Sequence, residues 1–209
     1  MIRSVIFDID GVLINTLEGN RRFFNSILRE LGKKPMSREE YAKFYSWTSK
    51  RVIDHFLPEK SEDEIDKIIS NALKNRPKYF KYDKLNPHVA ATLKELKSQF
   101  KLGIVTNRIT PVILEHFKIM KYFDEIVCLP DVKKHKPHPE PILLALKKLE
   151  TNPEEALYVG DVQSDANAGN SAGVKVIIYR NPLAKGDFNI TDFREIEEIA
   201  NKMKRKTDF

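Results

Sequence analysis

Five short apolar runs punctuate the chain, and the stretches between them carry helical spacing. The runs are Val5-Ile6-Phe7, Leu102-Gly103-Ile104-Val105, Glu125-Ile126-Val127-Cys128, Ala156-Leu157-Tyr158-Val159 and Val174-Lys175-Val176-Ile177-Ile178-Tyr179. Runs this short and this apolar read as strands covered on both faces. Val89, Leu93 and Leu96 fall on one helical face, as do Ile113, Phe117 and Met120, and again Leu143, Leu146 and Leu149. Strand and helix in alternation predict an α/β fold with a mostly parallel, doubly wound sheet of Rossmann-like kind, helices lying on both faces.

One region breaks the alternation. From Leu17 to Asn86 the pattern is helical throughout. Phe23, Phe24, Ile27, Leu28 and Leu31 form a stripe closed by Gly32, Val52, Ile53, Phe56 and Leu57 form one closed by Pro58, and Ile65, Ile68, Ile69 and Leu73 form a third. The expected organisation is an α/β core from residues 1–16 and 87–209, with a small all-helical cap, residues 17–86, inserted after the first strand. The last residues, Lys202-Met203-Lys204-Arg205-Lys206, read as a frayed basic end.

Composition narrows the class. A chain of 209 residues with 41% hydrophobic and 32% charged residues builds an ordinary globular core. No run approaches the length of a membrane span. The apolar run after Met1 is too short for a signal-peptide core. A single cysteine, Cys128, excludes an internal disulfide and a multi-cysteine zinc site. These features predict a cytoplasmic protein, monomer or homodimer, with no membrane partner. The net charge of +6 favours anionic partners. A basic, non-enzymatic nucleic-acid-binding protein is one such reading, but the sequence has no basic stripe or helix-turn-helix cue, so no nucleic acid is expected. A small phosphorylated metabolite is the other.

In open parallel sheets, ligands bind beyond the carboxyl ends of the strands. The first strand ends in Asp8-Ile9-Asp10-Gly11, the second in Thr106-Asn107-Arg108, the fourth in Gly160-Asp161-Val162-Gln163-Ser164-Asp165. The third leads, after a short loop, to Lys136-Pro137-His138-Pro139. Asp8, Asp10, Asp161 and Asp165 are predicted to converge on one edge, where like charges repel unless a cation joins them. Oxygen ligands of this kind suit Mg²⁺, which keeps room for phosphate oxygens. Of two neighbouring carboxylates, one can attack while the other moves a proton. Thr106 and Asn107 offer donors to phosphoryl oxygens, and Lys136 a compact positive charge.

Taken in this order, the stretches Asp8-Ile9-Asp10-Gly11-Val12, Ile104-Val105-Thr106-Asn107, Lys136-Pro137-His138-Pro139 and Gly160-Asp161-Val162-Gln163-Ser164-Asp165 resemble the haloacid dehalogenase superfamily, over Ile2 to about Tyr179. Gly169-Asn170-Ser171-Ala172-Gly173 continues the likeness. The resemblance implies a Mg²⁺-dependent phosphoric monoester hydrolase working through an aspartyl-phosphate. It implies Asp8 as nucleophile, Asp10 as general acid/base, Thr106, Asn107 and Lys136 as phosphoryl-binding groups, and Lys136 as a catalytic charge. Asp8, the Asp10 backbone carbonyl and Asp161 would hold the metal, with Asp165 acting through water or by orienting its neighbours. The helical insert resembles the family's C1-type cap of the phosphoglycolate phosphatase-like branch, whose substrates are phosphoglycolate-like, sugar phosphates or nucleotides. Asp10 favours phosphoryl transfer over dehalogenation, which needs no proton donor. A phosphomutase of the β-phosphoglucomutase type is the alternative, and Gly19-Asn20, where such mutases carry a histidine, argues against it. Phosphonate hydrolysis would need a cap lysine, for which Lys33, Lys34, Lys43 and Lys50 are available. Trp47, Lys50 and Arg51 are the candidate specificity residues of the cap, and Arg108 is a rival for that role in the core.

Overall fold

The structure, a computed structural model, describes residues 1–205. β1 (Ser4–Phe7) is followed by β2 (Ile14–Asn15). The insert runs through α1 (Leu17–Glu30), α2 (Arg38–Ala42), α3 (Ser49–Phe56) and α4 (Glu62–Leu73), a 3-10 helix (Arg76–Tyr82) and β3 (Lys84–Leu85). Then come α5 (Val89–Lys97), β4 (Lys101–Val105), α6 (Val112–His116), β5 (Glu125–Val127), α7 (Glu140–Leu149), β6 (Ala156–Gly160), α8 (Gln163–Ala172), β7 (Lys175–Tyr179), β8 (Phe188–Ile190) and α9 (Glu195–Arg205). Two compact units result: Met1–Ile14 together with the chain from Leu85 onward, and Asn15–Lys84.

In the first unit six strands form one sheet in the order β5-β4-β1-β6-β7-β8, every neighbouring pair parallel. The central strands β1 and β6 are buried at every residue, whereas the edge strands β5 and β8 are half-exposed. That gradient is what helices on both faces produce. Ile6 on β1 packs with Tyr158, Val176 and Ile178 of the sheet and with Ile142, Ala145, Leu146 and Leu149 of α7 and Ala166, Ala168 and Ala172 of α8. Phe7, the next residue, points to the other face, because side chains alternate along a strand. There it stacks on Phe193, just before α9, at a centroid distance of 6.0 Å.

The second unit is held by its own core. Phe23, Phe24, Ile27 and Leu28 of α1 bury one helical face, and Phe24 packs on Tyr41 of α2 at 5.7 Å. Val52 and Ile53 of α3 and Ile65 and Ile69 of α4 are buried as well. Starts are fixed by side chains: Ser37 and Ser61 form capping boxes with Glu40 and Glu64, and Thr48 accepts from the Arg51 N–H.

Four details depart from the sequence pattern. β8 and the two-residue strands β2 and β3 are too short to leave a periodic signal, and β3 falls inside a stretch read as wholly helical. The stripe Ile113, Phe117, Met120 does not sit on one helix, since α6 stops at His116 and Lys118 turns the chain with φ 58°. On α7 the buried face is Ile142, Ala145, Leu146 and Leu149, leaving Leu143 45% exposed. At the C-terminus the helix continues through Arg205, and Lys206 lies outside the described residues. Among the described residues, no helix is long and apolar enough to cross a membrane.

Candidate active site

Three adjacent strands leave the sheet in step. Phe7 pairs with Ile104 on one side and Val159 on the other. The residues that follow, Asp8, Val105-Thr106 and Gly160-Asp161, therefore emerge at one edge. Two glycines let the chain close there. Gly11 turns with φ +80°, and a β-carbon on it would lie 1.8 Å from an Asp161 carboxylate oxygen. A β-carbon on Gly160 would come within 2.2 Å of the Asp165 side chain. Any side chain at either position would push an acidic group out of the hollow. The Asn86 amide holds the first loop by donating to the carbonyls of Gly11 and Val12, both at 2.8 Å, and Asn181 donates to the Asp161 carbonyl at 2.7 Å.

At the centre sits Lys136, its side chain 3% exposed. The ammonium donates to Asp165 Oδ1 at 2.8 Å, to the Tyr158 hydroxyl at 3.0 Å and to the Val105 carbonyl at 3.4 Å, and lies 3.0 Å from Asp8 Oδ1. The Tyr158 hydroxyl donates in turn to Asp165 Oδ1 at 2.9 Å. The other Asp165 oxygen accepts the N–H groups of Asp161 and Val162, at 3.1 and 3.2 Å, where α8 begins. A carboxylate in the first turn of a helix takes up otherwise orphaned N–H groups. Asp165 thus orients both Lys136 and the backbone of Asp161. The loop that delivers Lys136 is tied by Glu140, whose carboxylate accepts from the N–H groups of Lys133 and Lys134.

The charges in this hollow are unbalanced. Burial raises the Asp8 carboxyl to about 7, with Asp165 and Asp10 adding to the rise and Lys136 opposing it. Burial likewise pushes Asp161 well above the usual carboxylate range, aided by Asp165 and Asp8. Burial works against the charged form of Lys136, but Asp165 and Asp8 outweigh it and hold the ammonium well above its ordinary value. One lysine faces several carboxylates, which is the electrostatic condition a cation relieves. Asp8, Asp161 and Asp165 each present an oxygen within 4.8 Å of the others. An all-oxygen set of this kind fits a hard divalent ion such as Mg²⁺.

The remaining sequence candidates sort clearly. Thr106 is buried and its hydroxyl accepts the Arg108 N–H at 3.2 Å, with Asn107 half-buried beside it. The Asp10 carboxylate does not join the acidic trio. It is gripped by Arg108, Nε to Oδ2 and Nη2 to Oδ1, both at 2.7 Å. In the helical unit the Arg51 guanidinium lies 3.9 Å over the Trp47 ring, and Trp47 also packs edge-on against Phe44 and His55. Lys50 is committed to Glu62 and Asp66 at 3.0 and 3.2 Å on an exposed surface. Sequence reasoning passed over Tyr158, Asn86 and Asn181. Tyr158 did leave a signal: a tyrosine in the middle of a fully buried strand must find a partner for its hydroxyl.

The chain matches the family model of the haloacid dehalogenase-like hydrolases over residues 5–179. It is 31% identical over 196 residues to a phosphoglycolate phosphatase of Aquifex aeolicus, covering 92% of this chain and 91% of that protein. It is 37% identical over 179 residues to the pyrophosphatase PpaX of Bacillus pumilus, covering 83% and 81%. The crystal structure of a subfamily IA, variant 1 hydrolase from Geobacter sulfurreducens superposes with a TM-score of 0.76 at 29% identity, over 95% of this chain and 96% of that one. This chain therefore belongs to the haloacid dehalogenase-like hydrolases and is an enzyme of that family.

Proposed function

We propose that this chain is a Mg²⁺-dependent phosphatase that hydrolyses a small phosphorylated metabolite through an aspartyl-phosphate on Asp8. The observation that carries the reading is the cluster of Asp8, Asp165 and the half-buried Asp161, the first two paired with buried Lys136, at the edge where three parallel strands end. As a member of this family with relatives that are phosphatases, it is a phosphatase. Asp8, Asp161 and the Asp10 carbonyl would hold the ion, with Asp165 behind them. Bound there, Mg²⁺ would neutralise charge on Asp8 and on the phosphoryl oxygens.

The chain's own groups divide the rest of the work. An Asp8 oxygen attacks phosphorus in line, and the bond from phosphorus to the leaving oxygen breaks. Asp10 enters this step as the neutral acid and gives that oxygen its proton, then takes one from the water that cleaves the Asp8 acyl phosphate, so inorganic phosphate leaves, Asp8 is again a carboxylate and Asp10 again the acid. Lys136, Thr106 and Asn107 steady the phosphoryl oxygens, since most catalysis of phosphoryl transfer is positioning and charge neutralisation. The relatives named for phosphoglycolate and pyrophosphate act on small substrates whose leaving groups are themselves anionic. Trp47, Lys50 and Arg51 remain the proposed contribution of the helical unit to specificity.

The test is phosphate release from a panel of phosphorylated metabolites and an aryl phosphate with Mg²⁺. Asp8→Asn is expected to abolish turnover, and so is chelation of the metal. Full activity in either case contradicts the reading.

A further inference from the structure

Asp10 and Arg108 are 98 residues apart in sequence yet meet fork to fork. Both bonds are 2.7 Å long, and the two side chains keep only 21% and 14% of their exposure. Two parallel charge-assisted bonds of this kind fix the plane of a carboxylate as well as its place. The backbone of Arg108 is itself anchored: its N–H donates to the Thr106 hydroxyl at 3.2 Å, and its carbonyl accepts from the Leu129 N–H at 2.9 Å. The guanidinium is thus built into the turn that carries the phosphoryl-binding pair. It rests on the carboxylate assigned to the leaving oxygen.

A leaving group that approaches Asp10 therefore meets Arg108 as well. Drawing a largely buried guanidinium off its carboxylate gives up two charge-assisted bonds, and another anion in the vacated place restores them. A guanidinium fork accepts a carboxylate or a phosphate equally well in shape. A leaving group bearing such a group brings its own replacement, and a neutral one does not. We infer that Arg108 is the specificity-determining residue of the core: it exchanges Asp10 for a carboxylate or phosphate on the leaving group. The exchange turns an Asp10 oxygen toward the reacting bond only when the substrate's leaving portion is anionic. The inference rests on the phosphatase reading above and adds to it the charge of the group that departs. It also gives a common physical reason why phosphoglycolate and pyrophosphate, unlike in shape, suit one kind of site.

The experiment compares kcat/KM for phosphoglycolate, inorganic pyrophosphate, the uncharged carboxamide of phosphoglycolate and an aryl phosphate, using the full chain with Mg²⁺. Wild type is expected to favour at least one anionic substrate over the carboxamide by about a hundredfold or more, as sites with a group left unpaired discriminate strongly. Phosphoglycolate and pyrophosphate separately report whether the carboxylate or the phosphate is the better replacement. Arg108→Ala is expected to bring that preference to within about threefold, the anionic substrates falling far more than the carboxamide. Arg108→Lys keeps the charge without the fork and is expected to lose at least tenfold of the preference, which covers the case of an unfolded alanine variant. Equal losses on all substrates would make Arg108 a support for Asp10 alone and overturn the inference. Turnover of the aryl phosphate with no advantage for either anion overturns it too, while leaving the phosphatase reading standing. Absence of phosphate release from every substrate takes down both.

Discussion

Two lysines of this chain make nearly the same contacts and mean different things. Lys136 in the core holds Asp8 and Asp165 at 3.0 and 2.8 Å, and Lys50 in the helical unit holds Glu62 and Asp66 at 3.0 and 3.2 Å. The Lys136 side chain is 3% exposed and that of Lys50 is 43%. In water the Lys50 pairs are screened and pay side-chain entropy, so they contribute little. Out of water the Lys136 pairs cannot be separated without leaving bare charge, and the surplus of carboxylates cannot disperse. Distance alone does not distinguish an ion pair locked away from water from one on the surface. Burial together with charge imbalance does.

The largest effect that sharpens this contrast is expected from Lys136→Met. Without the ammonium, Asp8 and Asp165 face each other uncompensated. Phosphatase activity is expected to fall about a thousandfold, in line with the loss of a donor aimed at developing charge. The metal-free protein is expected to lose about 3–5 kcal/mol of stability, read by denaturant unfolding. A loss no greater than that of a surface substitution would break the comparison.

The next effect is a pH dependence of the metal-free protein. Burial raises Asp8 from 3.8 to about 7. Between those values the folded protein keeps a proton at Asp8 that the unfolded chain has released. The folded state then binds more protons, so this contribution to stability is full below about 4 and is lost as pH climbs through about 7. Asp161 is displaced in the same direction. Chelator-treated protein is therefore expected to show a falling Tm across that window. Adding Mg²⁺ above pH 7 should restore it, by about 2.7 kcal/mol at a hundredfold excess over Kd. A Tm that ignores both pH and Mg²⁺ would mean that the carboxylates are not crowded as described.

The smallest effect is the control. Lys50→Met is expected to change stability by less than about 1 kcal/mol and to leave the pH response of Tm as in the wild type, measured in the same unfolding series. A loss as large as that of Lys136→Met would erase the distinction between the two sites.

What the sequence disclosed follows the same line. Asp8, Thr106, Lys136 and Asp161 were legible because each comes directly after a strand or on the loop beyond one, where polar residues interrupt apolar runs. The sheet was legible because strands buried on both faces are almost purely apolar. The partner of Asp10 was not, since nothing in spacing reports a contact between Asp10 and Arg108 that only the strand order β4-β1 creates. Tyr158 passed as core because its apolar neighbours in a buried strand say nothing of a hydroxyl.

The most direct test of the central claim is a rapid-quench single turnover followed by mass mapping of the trapped chain. The account predicts a transient phosphoryl group on Asp8, formed with wild-type protein and Mg²⁺ and missing from Asp8→Asn. Phosphate release with no phosphoryl group on Asp8 at any time, or with the group on another residue, would contradict it.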